Sequence, residues 1–325
     1  MPERLRELNE WLGRQPGLNG YKIAPASADA SFRRYFRVSF QEKSLIAMDA
    51  PPEKEDCSQF IRVGRAMRAM GLNVPEIVAE NQSLGFLLLT DLGSRPYLNE
   101  LNEASVERLY GDALGALVTL QVCGHGAQEI LPPYDRALLM REMELFREWY
   151  LTRHLGMNLT PEQNRVLDDA FALLADSALE QPQVCVHRDY HSRNLMVVNE
   201  HNPGILDFQD AVLGPVTYDL VSLLRDCYIE WPRERVEEWA LGYHELALQS
   251  GIIQEEDEAK FLRWFDLMGV QRHLKATGIF ARLNIRDGKP GYLGDIPRTL
   301  GYVKEVSARY PELADFHKFL LQLKT

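Results

Sequence analysis

The residues able to do chemistry in this chain gather between positions 184 and 210. An apolar run, Val184-Cys185-Val186, leads into His187-Arg188-Asp189, and Asn194 follows five residues after the aspartate. A second apolar run from Leu195 to Val198, a turn at His201-Asn202-Pro203-Gly204, and then Ile205-Leu206-Asp207-Phe208 complete the stretch. Phosphoryl transfer is the chemistry these types suit, because it asks a protein mainly to position reactants and cancel negative charge. One carboxylate must take the proton of an attacking hydroxyl, and Asp189 can do so from a loop tip. Magnesium is a hard cation that takes oxygen ligands and keeps several waters. Asn194 and Asp207 can supply one oxygen each, and two strands folding back on each other would carry them to neighbouring loop ends. Asp and Asn also serve ordinary turns, so the argument rests on all three in this order, with eighteen residues from Asp189 to Asp207.

The spacing H-R-D-x-x-x-x-N is that of a kinase catalytic loop. The stretch resembles the aminoglycoside phosphotransferase (APH-like) kinases, a small-molecule branch of the protein-kinase-like fold. Through HRDYHSRNLMV, GILDFQDAVLGPVTYDLVSLLRDCY and QRHLKATGIFARL it is similar, more narrowly, to the bacterial N-acetylmuramate/N-acetylglucosamine anomeric kinases of cell-wall recycling. The resemblance runs from SFRRYFRV near the start to LGDIPRTLGYV near the end. It implies an α+β, bilobal fold, with a small β-rich N-lobe over residues 1–92 and a larger, mostly helical C-lobe over 93–325. ATP and Mg2+ are the implied cofactors, with Asp189 as base and Asn194 and Asp207 as metal ligands. The segment Phe86 to Gly93 resembles the hinge of this fold, so adenine is expected at Leu89, Thr90 and Asp91, mainly through backbone. Asp219 is expected to brace the catalytic loop. The implied acceptor is the anomeric hydroxyl of an amino sugar, giving the α-1-phosphate. Aminoglycoside, choline and homoserine kinases are rivals, and so is a nucleotide-binding pseudokinase.

The elements that must position these residues follow from periodicity. Leu5, Leu8, Trp11 and Leu12 make a helical stripe. Strands are expected over 21–24, 32–40 and 44–48, a helix over 56–70, and strands over 76–79 and 86–90. From Ala104 the pattern turns helical, with helices over 138–150 and from Pro161 to Leu179, and with Thr217 as a cap for a helix carrying Leu220, Leu223 and Leu224. In a helix over 258–283, Phe261, Trp264, Phe265 and Met268 face inward, and the same stripe reaches Arg272 and Lys275. Buried charge is costly unless paired, so these cations must meet acidic partners or line a cleft. Arg272, His273, Lys275 and the loop-tip His191 are the candidate acceptor contacts. An aminoglycoside would want an acidic cleft, against which this basic stretch leans.

The chain departs from the kinase pattern in one place. It has neither a G-x-G-x-x-G loop nor a strand-3 lysine; Ala28 and Ala30 stand where the loop's small residues belong, and Met48 stands in LIAMDAP where the lysine is expected. Arg33 and Arg34 are the natural substitutes for phosphate, since guanidinium matches its oxygens in pairs, and strand alternation lets only one reach a cleft.

A formal net charge of −11 over 325 residues argues against a nucleic-acid partner. Four dispersed cysteines with no CxxC argue against zinc and against a disulfide framework. No apolar h-region opens the chain and no apolar run reaches membrane-spanning length, so a cytoplasmic protein with no membrane and no protein partner is expected.

Overall fold

A computed structural model describes residues 3–27, 32–124 and 131–323. The expected phosphate-loop alanines, Ala28 and Ala30, lie outside the described residues. The chain folds into two compact units, Met1–Pro96 with Leu195–Asp210, and Tyr97–Asn194 with Ala211–Thr325.

The first unit begins with α1 (Glu3–Leu12), followed by β1 (Lys22–Ser27), β2 (Arg34–Phe40), β3 (Lys43–Asp49), α2 (Ser58–Ala69), β4 (Ile77–Asn81) and β5 (Phe86–Thr90). The strands form one antiparallel sheet in the order β1-β2-β3-β5-β4. Alternation sends Val38, Ala47, Phe86 and Leu88 to the face that buries Leu8, Trp11 and Leu12 of α1. Met48 points to the other face, opposite Tyr35 and Leu87, and is fully buried. A later hairpin belongs to this unit: β7 (Leu195–Met196) pairs with β8 (Gly204–Ile205). Its backbone is tied in by Ile205 N–H to Asn73 O (2.8 Å) and Val197 N–H to Arg95 O (2.8 Å). Phe208 packs, with its ring tilted, on Phe60 of α2 at 4.7 Å, and Gly64 makes room, since a Cβ there would sit 3.0 Å from the Phe208 ring. Sequence order alone assigned this hairpin to the C-lobe; its hydrogen bonds and its aromatic anchor join it to the first unit.

The second unit contains α3 (Tyr97–Glu100), α4 (Val106–Cys123), α5 (Arg136–Leu145), α6 (Pro161–Leu179), β6 (Gln183–Val186), β9 (Val212–Pro215), α7 (Tyr218–Leu224), α8 (Arg233–Gln249), α9 (Glu258–Asp287), α10 (Ile296–Ser307) and α11 (Ala314–Leu321). β6 and β9 pair antiparallel. The start of α6 is a full capping box, Thr160 with Gln163, and Pro161 occupies its first turn. Thr217, expected as an N-cap, has helical angles and makes no capping bond; its hydroxyl instead donates to Gln181 Oε1 at 2.7 Å.

The core of this unit is α9, thirty residues long, opened by the Asp257 cap and closed at Gly288 in the left-handed region. The expected helix over 138–150 is two elements, because α5 passes into a π-helical segment over Phe146–His154. At that junction α9 approaches most closely through Gly278, where a Cβ would lie 2.3 Å from Leu145 C and 2.6 Å from Phe146 N. Among the described residues no helix is long and apolar enough to cross a membrane. Because backbone atoms cannot step aside for a methyl group, Gly278→Ala should cost about 1–3 kcal/mol or more of overpacking. Denaturant unfolding would measure it; a neutral change would mean that α9 slides freely on α5.

Candidate active site

The loop after β6 is held by carboxylates rather than by its own sequence. Asp219, in the first turn of α7 and fully buried, accepts from His187 N–H (2.6 Å) and Arg188 N–H (2.9 Å). Arg188 sits at φ 78°, a left-handed conformation unusual outside glycine, so the bracing holds the backbone in a strained turn. Burial pushes the Asp219 carboxyl up to about 7, against the lowering effect of its two N–H donors. A second carboxylate, Asp226, accepts from Ser192 N–H (2.9 Å) and Tyr228 N–H (2.9 Å) at the far end of the loop. Tyr190 anchors the middle, donating to Ala113 O at 2.8 Å.

Asp189 is thereby presented on a rigid turn. Burial raises its pKa, but Lys275, His191, Arg272 and His187 outweigh burial and hold the carboxyl below the usual range. The Asn194 side-chain amide donates to Asp189 O at 3.0 Å, which orients the amide through its nitrogen and makes its oxygen the atom suited to a hard cation.

The inward cations of α9 differ from one another. Lys275 donates to the Tyr218 hydroxyl (2.9 Å) and lies 3.1 Å from Glu142 of α5, so it has the acidic partner that burial demands. Arg272 has none. Only 5 % exposed, it approaches the Cys227 thiol at 3.6 Å, its Nε is unpartnered, and no carboxylate lies within 4.0 Å among the described residues. His273 turns elsewhere: Nε2 donates to Arg225 O at 2.8 Å, the ring packs on Tyr302 at 4.9 Å, and burial pushes its pKa down to about 3. His191 is buried with its ring edge-on to Tyr228 at 5.3 Å, and its Nδ1 has no partner. The second unit therefore brings the half-buried Asp189 and Asn194 together with the buried His191, Arg272 and Lys275, and gives His273 packing partners of its own.

The remaining candidates lie in the first unit. Arg33 pairs with Glu55 at 3.2 Å, and Arg34 pairs with the buried Asp49, which Arg4 also reaches. Leu89 is buried in β5 between Ile46 and Ile77. The Thr90 hydroxyl accepts from Glu76 N–H at 2.8 Å. Asp91 receives Arg37 in bidentate fashion (2.6 and 3.1 Å), and Arg37 also reaches Gly93 O at 2.9 Å, so the segment expected as a hinge is pinned from β2. Asp207 has φ 61° and accepts from Gln209 Nε2 at 2.8 Å.

Sequence reasoning missed Glu142, Asp226 and Arg37. Glu142 was detectable: it lies with Leu139 and Met143 on the buried stripe of α5, the same anomaly that marked Arg272 and Lys275. Asp226 and Arg37 gave no comparable signal.

Similarity to known proteins agrees with this arrangement. The chain is 49% identical to an N-acetylmuramate/N-acetylglucosamine kinase of Pseudomonas aeruginosa, over 93% of this chain and 88% of that one. It is 46% identical to the protein of the same name from Pseudomonas putida, over 100% of this chain and 98% of that one. In fold it is similar to a choline kinase from Cryptosporidium parvum, with a TM-score of 0.66 at 10% identity, covering 98% of this chain and 99% of that one. Residues 22–262 match the phosphotransferase enzyme family. With the H-R-D-x-x-x-x-N loop braced from α7 and a sheet-bearing first unit ahead of a helical second one, the chain belongs to the phosphotransferase enzyme family, APH.

Proposed function

We propose that the protein is an ATP-dependent kinase that phosphorylates the anomeric hydroxyl of N-acetylmuramate or N-acetylglucosamine, giving the α-1-phosphate in cytoplasmic peptidoglycan recycling. The observation that carries the reading is Asp189 on its braced loop, ionised by surrounding cations, in a chain nearly half identical to a kinase of that name. Asp189 accepts the proton of the sugar's O1–H. O1 attacks the γ-phosphorus in line, the bond from that phosphorus to the β,γ-bridging oxygen breaks, and ADP departs. Asn194 and Asp207 are the oxygen ligands proposed for magnesium, which would neutralise charge on the transferring phosphates. Leu89, Thr90 and Asp91 are proposed at the adenine. One of Arg33 and Arg34 is proposed at the phosphates, where its ion pair with Glu55 or Asp49 would compete with the nucleotide. His191 and Lys275 are proposed near the acceptor, and His273 as support for α9.

Arg272 gives the acceptor reading its electrostatic content. A buried guanidinium without an ion pair is costly, and the lactyl carboxylate of N-acetylmuramate is an anion able to relieve it. N-acetylglucosamine lacks that group.

Three outcomes are expected. Asp189→Asn should lower kcat by about 10²–10⁴ while nucleotide binding persists, read by phosphorus NMR of the anomeric phosphate and by ATP titration; near-native turnover would remove Asp189 as the base. Arg272→Met should weaken kcat/KM for N-acetylmuramate by about 10–100-fold, the worth of a hydrogen bond to a charged group, and change N-acetylglucosamine far less. Equal losses would assign Arg272 to the phosphate instead. For pH, the ionised form of Asp189 is the active one, and Lys275 helps to hold its pKa down against burial. Lys275→Met should therefore move the acid limb of kcat to higher pH, and an unmoved limb would show that Lys275 does not act on the base.

A further inference from the structure

Among the described residues of the second unit, Glu142 is the buried carboxylate with the most hydrogen-bond and ion-pair partners. One oxygen receives both the Arg188 guanidinium and the Lys275 ammonium, the latter at 3.1 Å. The other receives the Tyr134 hydroxyl and, at 3.5 Å, the Gln271 amide. The residue is 5 % exposed, so none of these donors competes with bulk water. Its partners come from four places: the segment before α5, the strained residue of the catalytic loop, and two positions of α9 one turn apart. An acidic residue that served only to neutralise Lys275 would need one of them.

We propose that Glu142 is a positioning residue for phosphoryl transfer: from α5 it locks the Arg188 turn and the Lys275 ammonium together, so that the loop presents Asp189 in one geometry under one fixed positive charge. The proposal rests on the kinase reading above. Geometry supports it at both ends. Arg188 is the residue at positive φ, and a turn held only by the Asp219 bonds to its backbone could still swing its side chain. Lys275 is a flexible stem whose ammonium needs both Glu142 and Tyr218 to stay in place. The charged and titratable groups facing Lys275 are Glu142 from α5, Tyr218 from α7, and Arg188 and Asp189 from the loop. Burial opposes its protonation and Glu142 most strongly restores it, so the charge on Lys275 depends on Glu142.

The test compares Glu142→Gln, Lys275→Met and the double variant with the wild type, using the full chain and the acceptor that the wild type phosphorylates. Glu142→Gln keeps the shape and the hydrogen bond to Tyr134. It should lower kcat by about 10–100-fold while KM for ATP and acceptor stays within about threefold. The alkaline limb of kcat should move to lower pH, because a buried Lys275 without its carboxylate gives up its proton sooner. Glu142→Asp should restore that limb toward its wild-type position. The double variant should be no slower than the slower single one, as expected of residues acting as a unit. Nζ NMR of Lys275 reads the same loss of charge without any acceptor. Multiplying effects, an unmoved alkaline limb, or a loss confined to thermal stability would each overturn the proposal. A wild type that phosphorylates no acceptor would instead overturn the kinase reading, and the role in phosphoryl transfer with it; an unchanged Lys275 charge in Glu142→Gln would overturn the proposal alone.

Discussion

Two consecutive backbone N–H groups, those of His187 and Arg188, end on one buried carboxylate, Asp219. This is the constraint from which the rest of the second unit follows. A loop carrying a catalytic group cannot satisfy its own backbone by ladder bonds, and buried donors without acceptors are costly. Asp219 satisfies them from the start of α7, and Asp226 does the same at the loop's other end.

The buried carboxylates in turn demand compensation. Glu142, Asp219 and Asp226 are buried together with Arg272 and Lys275, and the half-buried Asp189 and Arg188 border them. At Asp189, Glu142 and Asp219 neighbouring opposite charge and burial work against each other, and the outcome differs by position. Cations win at Asp189, which stays ionised. Burial wins at Asp219, whose carboxyl is pushed up to about 7 although it accepts two N–H bonds. Two carboxylates at the same turn, one in the loop and one reaching it from α7, are thus shifted in opposite directions by their surroundings.

Much of this was legible in the chain. The order of strands and helices, the Asp189, Asn194 and Asp207 spacing and the inward cations of α9 follow from periodicity and residue type, and the brace at Asp219 was implied by the family resemblance. The rest depended on partners far away in sequence. Periodicity cannot separate a π-helical turn from an α-helical one, and the widening after Leu145 becomes intelligible only with the Gly278 backbone beside it. Thr217 looks like a cap because its type is right, yet a buried Gln181 takes its hydroxyl. Arg272 and Lys275 are equivalent as sequence; that one is paired and the other is not depends on Glu142, 133 and 130 residues away. Nor does spacing show that Arg33 and Arg34 are engaged by Glu55 and Asp49.

The unpaired charge at Arg272 reaches beyond the chemistry of one turnover. Its desolvation is a standing cost of the native state, carried whether or not a ligand is present. A ligand that brings an anion to it removes part of that cost and binds the folded chain alone, so by mass action it withdraws molecules from the unfolded pool. If an anionic acceptor occupies that place, as proposed, its supply would also lengthen the life of the protein: the chain would be most exposed to unfolding and proteolysis when it has nothing to phosphorylate.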